Sequence, residues 1–224
     1  MSKSWLRKIF DFAPVTISFT LASIFVYFLS VITFGWTNRM FFSLFRSSPL
    51  NPLTYFRLFS YSIGHSSFSH LAANLGIFIL VLGVLMERHY GSKLLLIMKA
   101  VTSVVLGVIH LIFHPNYRAI GASGIVFMLI FLSAYTYLGK LRWGRWPIGI
   151  IVIAIFYFGR EFIGLGGQLI GINTSNTAYA GHILGGICGM ALGAIVQKAQ
   201  ENQATKEVTE LKTEVKEIKE EAII

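Results

Sequence analysis

Six long apolar runs, separated by short polar or basic stretches, set the plan of this chain. They are Val15–Trp36, Ser69–Met86, Lys93–Phe113, Ala119–Leu138, Pro147–Leu165 and Ala178–Gln197. A helix needs about 20 mostly apolar residues to cross the hydrocarbon core of a bilayer. The pattern therefore predicts an all-α polytopic membrane protein with six transmembrane helices. The second and fourth runs are a little short, or polar at one end, as a site near a helix end would make them. The first run is too long for a signal-peptide core and lacks a small-residue cleavage site after it, so it reads as a retained helix.

Between these runs the polar residues differ in kind. Lys3, Arg7 and Lys8 precede the first span, Arg88 and Lys93 follow the second, and Lys140, Arg142 and Arg145 follow the fourth. By the positive-inside rule this predicts cytoplasmic N- and C-termini. The opposite side holds Arg39, Arg46 and Arg57 in a long first loop and Arg118 in a short one. That first loop, residues 37–64, mixes these arginines with Phe41, Phe42, Phe45, Tyr55, Phe56, Phe59 and Tyr61. Such a mixture favours the membrane interface. From Lys198 onward the character changes again. Val208, Leu211, Val215, Ile218 and Ala222 recur three and four residues apart among Glu and Lys. This seam covers only two heptads, so a solvated cytoplasmic helix is the default and a partner helix the sharper option. The expected domains are a cytoplasmic N-terminus (1–14), a six-helix membrane domain (15–197) and a charged amphipathic tail (198–224).

Composition supports the membrane reading and removes rivals. Hydrophobic residues form 54% of the 224 residues and charged residues 13%, about half the charge of an ordinary soluble domain. Of 19 basic and 10 acidic residues, five lysines and seven glutamates lie from Lys198 onward, leaving the preceding part at +11. That surplus suits loops beside anionic lipid headgroups. Nucleic-acid binding is not expected, because the basic residues are scattered between apolar runs and not gathered on one soluble face. The single cysteine, Cys188, excludes an internal disulfide framework.

Against this background a few polar residues stand out. His70 and Asn74 lie four apart at the start of the second span, Ser123 starts the fourth, and His182 lies about one turn into the sixth. These three spans run in the same direction, so all four residues fall at a similar depth near the outer face. Polar groups in hydrocarbon are costly and need a structural or chemical reason. Each feature also has a packing explanation: Gly121-Ala122-Ser123-Gly124 as a small-residue contact, His182 as a packed histidine beside the Gly185, Gly189 and Gly193 stripe, His70 and Asn74 as interhelical bonds. Together they fit serine-type hydrolysis. Ser123 lies at a helix start, where free N–H groups and the dipole favour an oxyanion, and His70 and Asn74 are suitable further donors.

The acids before the tail are Asp11, Glu87 and Glu161. None is aligned by sequence with His182, so a serine–histidine dyad is expected, not a triad. An aspartyl enzyme would need two intramembrane Asp, and a zinc enzyme a His-Glu-x-x-His helix, which is missing. His110 and His114 have helical spacing but no third ligand nearby, and capping near Pro115 is the expected role. No metal or cofactor is expected.

With these residues in order, the chain resembles the rhomboid family of intramembrane serine proteases over most of residues 50–195. His65-x4-His70-x3-Asn74 is similar to the family's second-helix signature, and Glu87-x-x-x-Gly91-Ser92 to the segment that follows it. Gly121-Ala122-Ser123-Gly124 resembles the nucleophile motif, and Gly181-His182-x-x-Gly185-x-x-x-Gly189 the sixth-helix pattern. The resemblance implies a six-helix, bacterial-type enzyme of the cell (inner) membrane that cleaves transmembrane protein substrates near the outer face. It implies Ser123 as nucleophile, His182 as base, and His70, Asn74 and the Ser123 N–H as oxyanion donors, with Gly121 holding the preceding loop. Arg57 takes a place similar to a first-loop arginine of the family. Phe127 stands where some members have tyrosine; its ring can stack on the histidine but cannot hydrogen-bond. His89 stands where a basic Arg or Lys often sits. The alternative is a catalytically silent rhomboid-like protein that binds or guides membrane clients.

Overall fold

The computed structural model describes residues 11–114, 116–138, 147–172 and 178–221. Lys3, Arg7, Lys8, Pro115, Lys140, Arg142, Arg145 and Ala222 lie outside them. Eight helices follow one another among the described residues: α1 (Pro14–Ile32), α2 (Trp36–Phe41), α3 (Pro52–Ser60), α4 (Phe68–Tyr90), α5 (Ser92–Phe113), α6 (Ser123–Leu138), α7 (Pro147–Leu169) and α8 (Tyr179–Glu221). Five of these are long and apolar enough to cross a membrane, and α6 is a shorter apolar helix. The chain has the expected all-helical, polytopic membrane architecture.

Side-chain placement is inverted relative to a water-soluble bundle. On α1 the buried positions include Thr16, Thr20, Ser23 and Ser30, whereas Phe25, Phe28, Val31 and Ile32 point outward. On α5, Lys99, Thr102 and Ser103 are buried while Leu96, Val101, Val105 and Ile112 are exposed. Large apolar side chains on the outside are stable against lipid tails. Small and polar side chains inside let helices approach and bond.

Helix α6 is the exception, being buried on every side from Ile125 to Ser133. It forms the axis of the bundle. At 1.5 Å per residue its 16 residues span roughly 24 Å, less than the ~30 Å of a hydrocarbon core. Ser123 is the first residue of this helix. Helix α8 packs along α6 through glycines. A Cβ on Gly185 would lie 2.4 Å from the Gly124 carbonyl oxygen, and one on Gly189 2.3 Å from that of Met128. Only hydrogen fits there, which fixes the register of the two helices.

Two further features place the site. Helix α4 turns sharply at Gly76 (ψ −123°), then runs as a widened helix to Gly83. The break comes two residues after Asn74, so the turn carrying His70 and Asn74 is set apart from the rest of the span. Asn51 and Ser67 cap α3 and α4, each accepting a backbone N–H with its side chain. The long first loop folds back as scaffold. Leu44 and Ala119 exchange backbone hydrogen bonds of 2.8 and 2.9 Å, and Arg57 donates to the Met40 carbonyl at 2.7 Å. The loop before Ser123 is thus tied to this scaffold. The tail does not separate from the sixth span: α8 continues as one helix of 43 residues, with Val208, Leu211, Val215 and Ile218 exposed.

Candidate active site

Gly121 enters the site with φ +120°, a conformation that side chains rarely allow. Its N–H donates to the Tyr61 carbonyl at 2.9 Å, and the Tyr61 hydroxyl donates to the Ser103 carbonyl at 3.0 Å. A Cβ on Gly121 would fall 2.6 Å from His70 Nε2, 2.5 Å from its Cε1 and 3.7 Å from Asn74 Nδ2. So the loop backbone before Ser123 lies directly against the two predicted donors of α4.

Those donors differ in how they are held. His70 Nδ1 and the Ser66 hydroxyl are 3.2 Å apart, leaving Nε2 to face Gly121. The His65 ring packs edge-on against the His70 ring at 5.1 Å. Burial, with His70 beside it, lowers His65 to about 4, so it is neutral near pH 7. Asn74 is buried, and its Nδ2 has no hydrogen-bond partner among the described residues. A buried amide donor left unpaired costs about 1–3 kcal/mol. It is aimed at the same backbone that Gly121 keeps open.

His182 enters from the first turn of α8, its N–H bonded to the Ala178 carbonyl at 3.0 Å. Its ring lies flat on Phe127, centroid to centroid 4.5 Å with 7° between the planes. The stacking expected for a phenyl ring at this place is therefore present, and Tyr157 packs edge-on against Phe127 at 5.9 Å. An ideal Cβ on Gly124 would lie 4.0 Å from the Gly181 carbonyl oxygen, so the chain neighbours of Ser123 and His182 meet face to face. Among the described residues the Ser123 hydroxyl and the His182 ring make no direct hydrogen bond. Nucleophile and base are often loosely aligned before substrate closes a site.

The expectation that no acid is aligned with His182 is corrected. Glu161 Oε2 lies 2.7 Å from His182 Nδ1, and the Glu161 side chain is 1% exposed. Sequence reasoning placed Glu161 on the right span but could not orient it, because the pairing depends on how α7 is rotated against α8. The available signal was a carboxylate in the body of an apolar span. The acid near the end of α4, Glu87, is occupied elsewhere: its two oxygens accept the N–H groups of Val15 and Thr16 at 2.8 Å each.

The remaining candidates fall away from the site. The His110 and His114 rings lie 5.8 Å apart with their planes tilted by 30°, and His110 Nε2 lies 3.1 Å from the Tyr117 carbonyl oxygen, at the end of α5. Arg57 is a buried scaffold residue whose guanidinium sits 4.2 Å from the Phe45 ring centroid. Ser123, His182, His70, Asn74 and Gly121 instead converge at one end of the bundle, on α6, α8, α4 and the loop between α5 and α6.

No individual curated protein matches the chain. The model of the Rhomboid domain matches residues 52–199, well over half of the sequence and inclusive of all five converging residues. The chain belongs to the rhomboid family.

Proposed function

We propose that this membrane protein hydrolyses peptide bonds of transmembrane protein substrates, with Ser123 as nucleophile and His182 as base. The observation that carries the reading is the facing pair of half-sites. On one side Asn74 Nδ2 is buried and unpartnered, and His70 Nε2 lies against Gly121. On the other, His182 has its Nδ1 engaged and its ring stacked, leaving Nε2 for proton transfer.

The chemistry follows from these roles. Ser123 Oγ attacks the scissile carbonyl carbon as its proton passes to His182 Nε2. The oxyanion is held by Asn74 Nδ2, His70 Nε2 and the Ser123 N–H. Collapse of the tetrahedral intermediate breaks the C–N bond, and Nε2 gives its proton to the leaving amine. Water then attacks the acyl-serine by the same path in reverse. The reaction we propose takes place within the bilayer near the outer face, with both termini cytoplasmic. A bacterial inner membrane is the matching location, and the lipid-facing surface admits the substrate helix.

The test is cleavage of a model transmembrane substrate by purified protein in liposomes. Ser123→Ala is expected to lower turnover by about 10⁴-fold or more. Undiminished cleavage by that variant sinks the proposal. Failure of the folded wild-type protein both to cleave and to react with a mechanism-based serine probe favours the silent, client-binding reading instead.

A further inference from the structure

Among the described residues, two contacts hold the His182 ring. Phe127 stacks beneath it and fixes its plane. Within that plane the ring could still flip about Cβ–Cγ, swapping Nδ1 with Cδ2, and could carry its proton on either nitrogen. The Glu161 carboxylate removes this freedom, because it accepts a hydrogen bond and cannot donate one when ionised. Nδ1 lies 2.7 Å from Oε2, and an ionised carboxylate there favours the tautomer with the proton on Nδ1 and the lone pair on Nε2.

We infer that Glu161 is a positioning residue that makes the Ser123–His182 pair into a serine–histidine–glutamate arrangement. This rests on the hydrolase reading above. The carboxylate keeps Nδ1 protonated before attack and stabilises the imidazolium as Nε2 takes the Ser123 proton. The only proton that moves is the one between Ser123 Oγ, Nε2 and the leaving amine.

The surroundings favour this role over a plain ion pair. Glu161 is 1% exposed and the His182 side chain 12%, so the contact is shielded from water and competing ions. Among the described residues, the other cation near the carboxylate is Arg160, whose Nε is 3.8 Å from Oε1 and whose side chain is 57% exposed. That longer, exposed contact contributes little. It also leaves the Oε2 contact to the imidazole undisturbed. Glu161 and His182 come from different helices, 21 residues apart. The bond therefore also locks α7 against α8 at the level of the site.

The experiment uses the full-length protein reconstituted in liposomes, with Glu161→Gln and Glu161→Asp. Gln is nearly isosteric but can offer Nδ1 either its carbonyl or its amide, and so permits the wrong tautomer. Its kcat is expected to fall by about 10²- to 10⁴-fold with KM changed less than about threefold. Asp retains the charge and is expected to recover at least tenfold over Gln. In the NMR spectrum of ¹⁵N-histidine-labelled protein, the low-field proton of the carboxylate-bound Nδ1–H is expected in wild type and Glu161→Asp and absent in Glu161→Gln. A kcat for folded Glu161→Gln within about threefold of wild type overturns the inference. So does a large loss of kcat with that resonance unchanged, since Glu161 would then not be holding the ring. The resonance needs no substrate. If wild type shows no turnover, the hydrolase reading fails and the resonance still decides whether Glu161 sets the tautomer.

Discussion

Glu87 and Glu161 are both buried carboxylates in an apolar bundle, 3% and 1% exposed, yet they have opposite kinds of partner. Glu87 lies at the end of α4 and accepts the first free N–H groups of α1, from Val15 and Thr16. Those donors are fixed parts of a helix terminus and cannot exchange protons. The arrangement caps α1, complements its dipole and staples it to α4. Glu161 lies against an imidazole, whose proton can be on either nitrogen and whose charge changes during general base catalysis. Burying an acid is expensive in both places. On the proposed function, the donor it faces decides whether the result is a fastener or part of a reaction.

Asn74 gives the strongest test of this contrast, because it is the reverse of Glu87: a buried polar atom with its partner missing. Asn74→Ala removes a proposed oxyanion donor and is expected to lower kcat by about 10²- to 10³-fold. It also removes an unpaired buried amide, so the unfolding midpoint of the substrate-free protein is expected to stay level or rise. Turnover and thermal unfolding measured on the same preparation check both halves. A lower midpoint together with lost activity would mean that Asn74 is structural, like Glu87.

Glu87→Gln should show the complementary pattern. Gln keeps one oxygen for one of the two α1 donors and turns an amide towards the other. Loss of a charge-assisted bond and a mispaired donor together are expected to destabilise by about 2–3 kcal/mol. Turnover per folded molecule should stay within about twofold of wild type. Chemical unfolding in detergent and active-site titration separate the two quantities. A large fall in kcat per titrated site would erase the distinction between the acids.

The same contrast explains what the sequence revealed and what it did not. Ser123, His182, His70 and Asn74 were legible because each lies near the start of a span, and parallel spans bring such starts to one depth. Gly121 was legible as a loop glycine, though its contact with His70 required the fold. Glu161 was not legible in its role. Its residue type marked it as unusual, but its partner is set by the rotation of α7, and its immediate neighbours give no helical stripe that fixes this. The bend at Gly76 was also missed: the apolar run continues through it, and periodicity carries no mark of a single non-helical ψ. The tail was divided from the sixth span at Lys198 by its charge. Backbone hydrogen bonding does not depend on side-chain charge, so α8 continues through Lys198 unbroken.

Phe127 offers the smallest effect and the finest test. Phe127→Leu keeps the site apolar but removes the ring beneath His182. Stacked aromatic pairs contribute about 0.5–1.5 kcal/mol beyond their burial, so kcat is expected to fall by roughly fivefold. The informative quantity is the coupling. Phe127 and Glu161 restrain the same ring from different directions, so once Glu161→Gln has loosened it, Phe127→Leu should cost noticeably less than fivefold. Glu87 acts through α1 and shares no partner with Phe127, so in the Glu87→Gln background the fivefold loss should persist in full. Residues acting on one group are non-additive, and residues with separate partners add. A double-mutant cycle on kcat that finds equal losses in all three backgrounds would show that Phe127 and Glu161 do not act on a common ring.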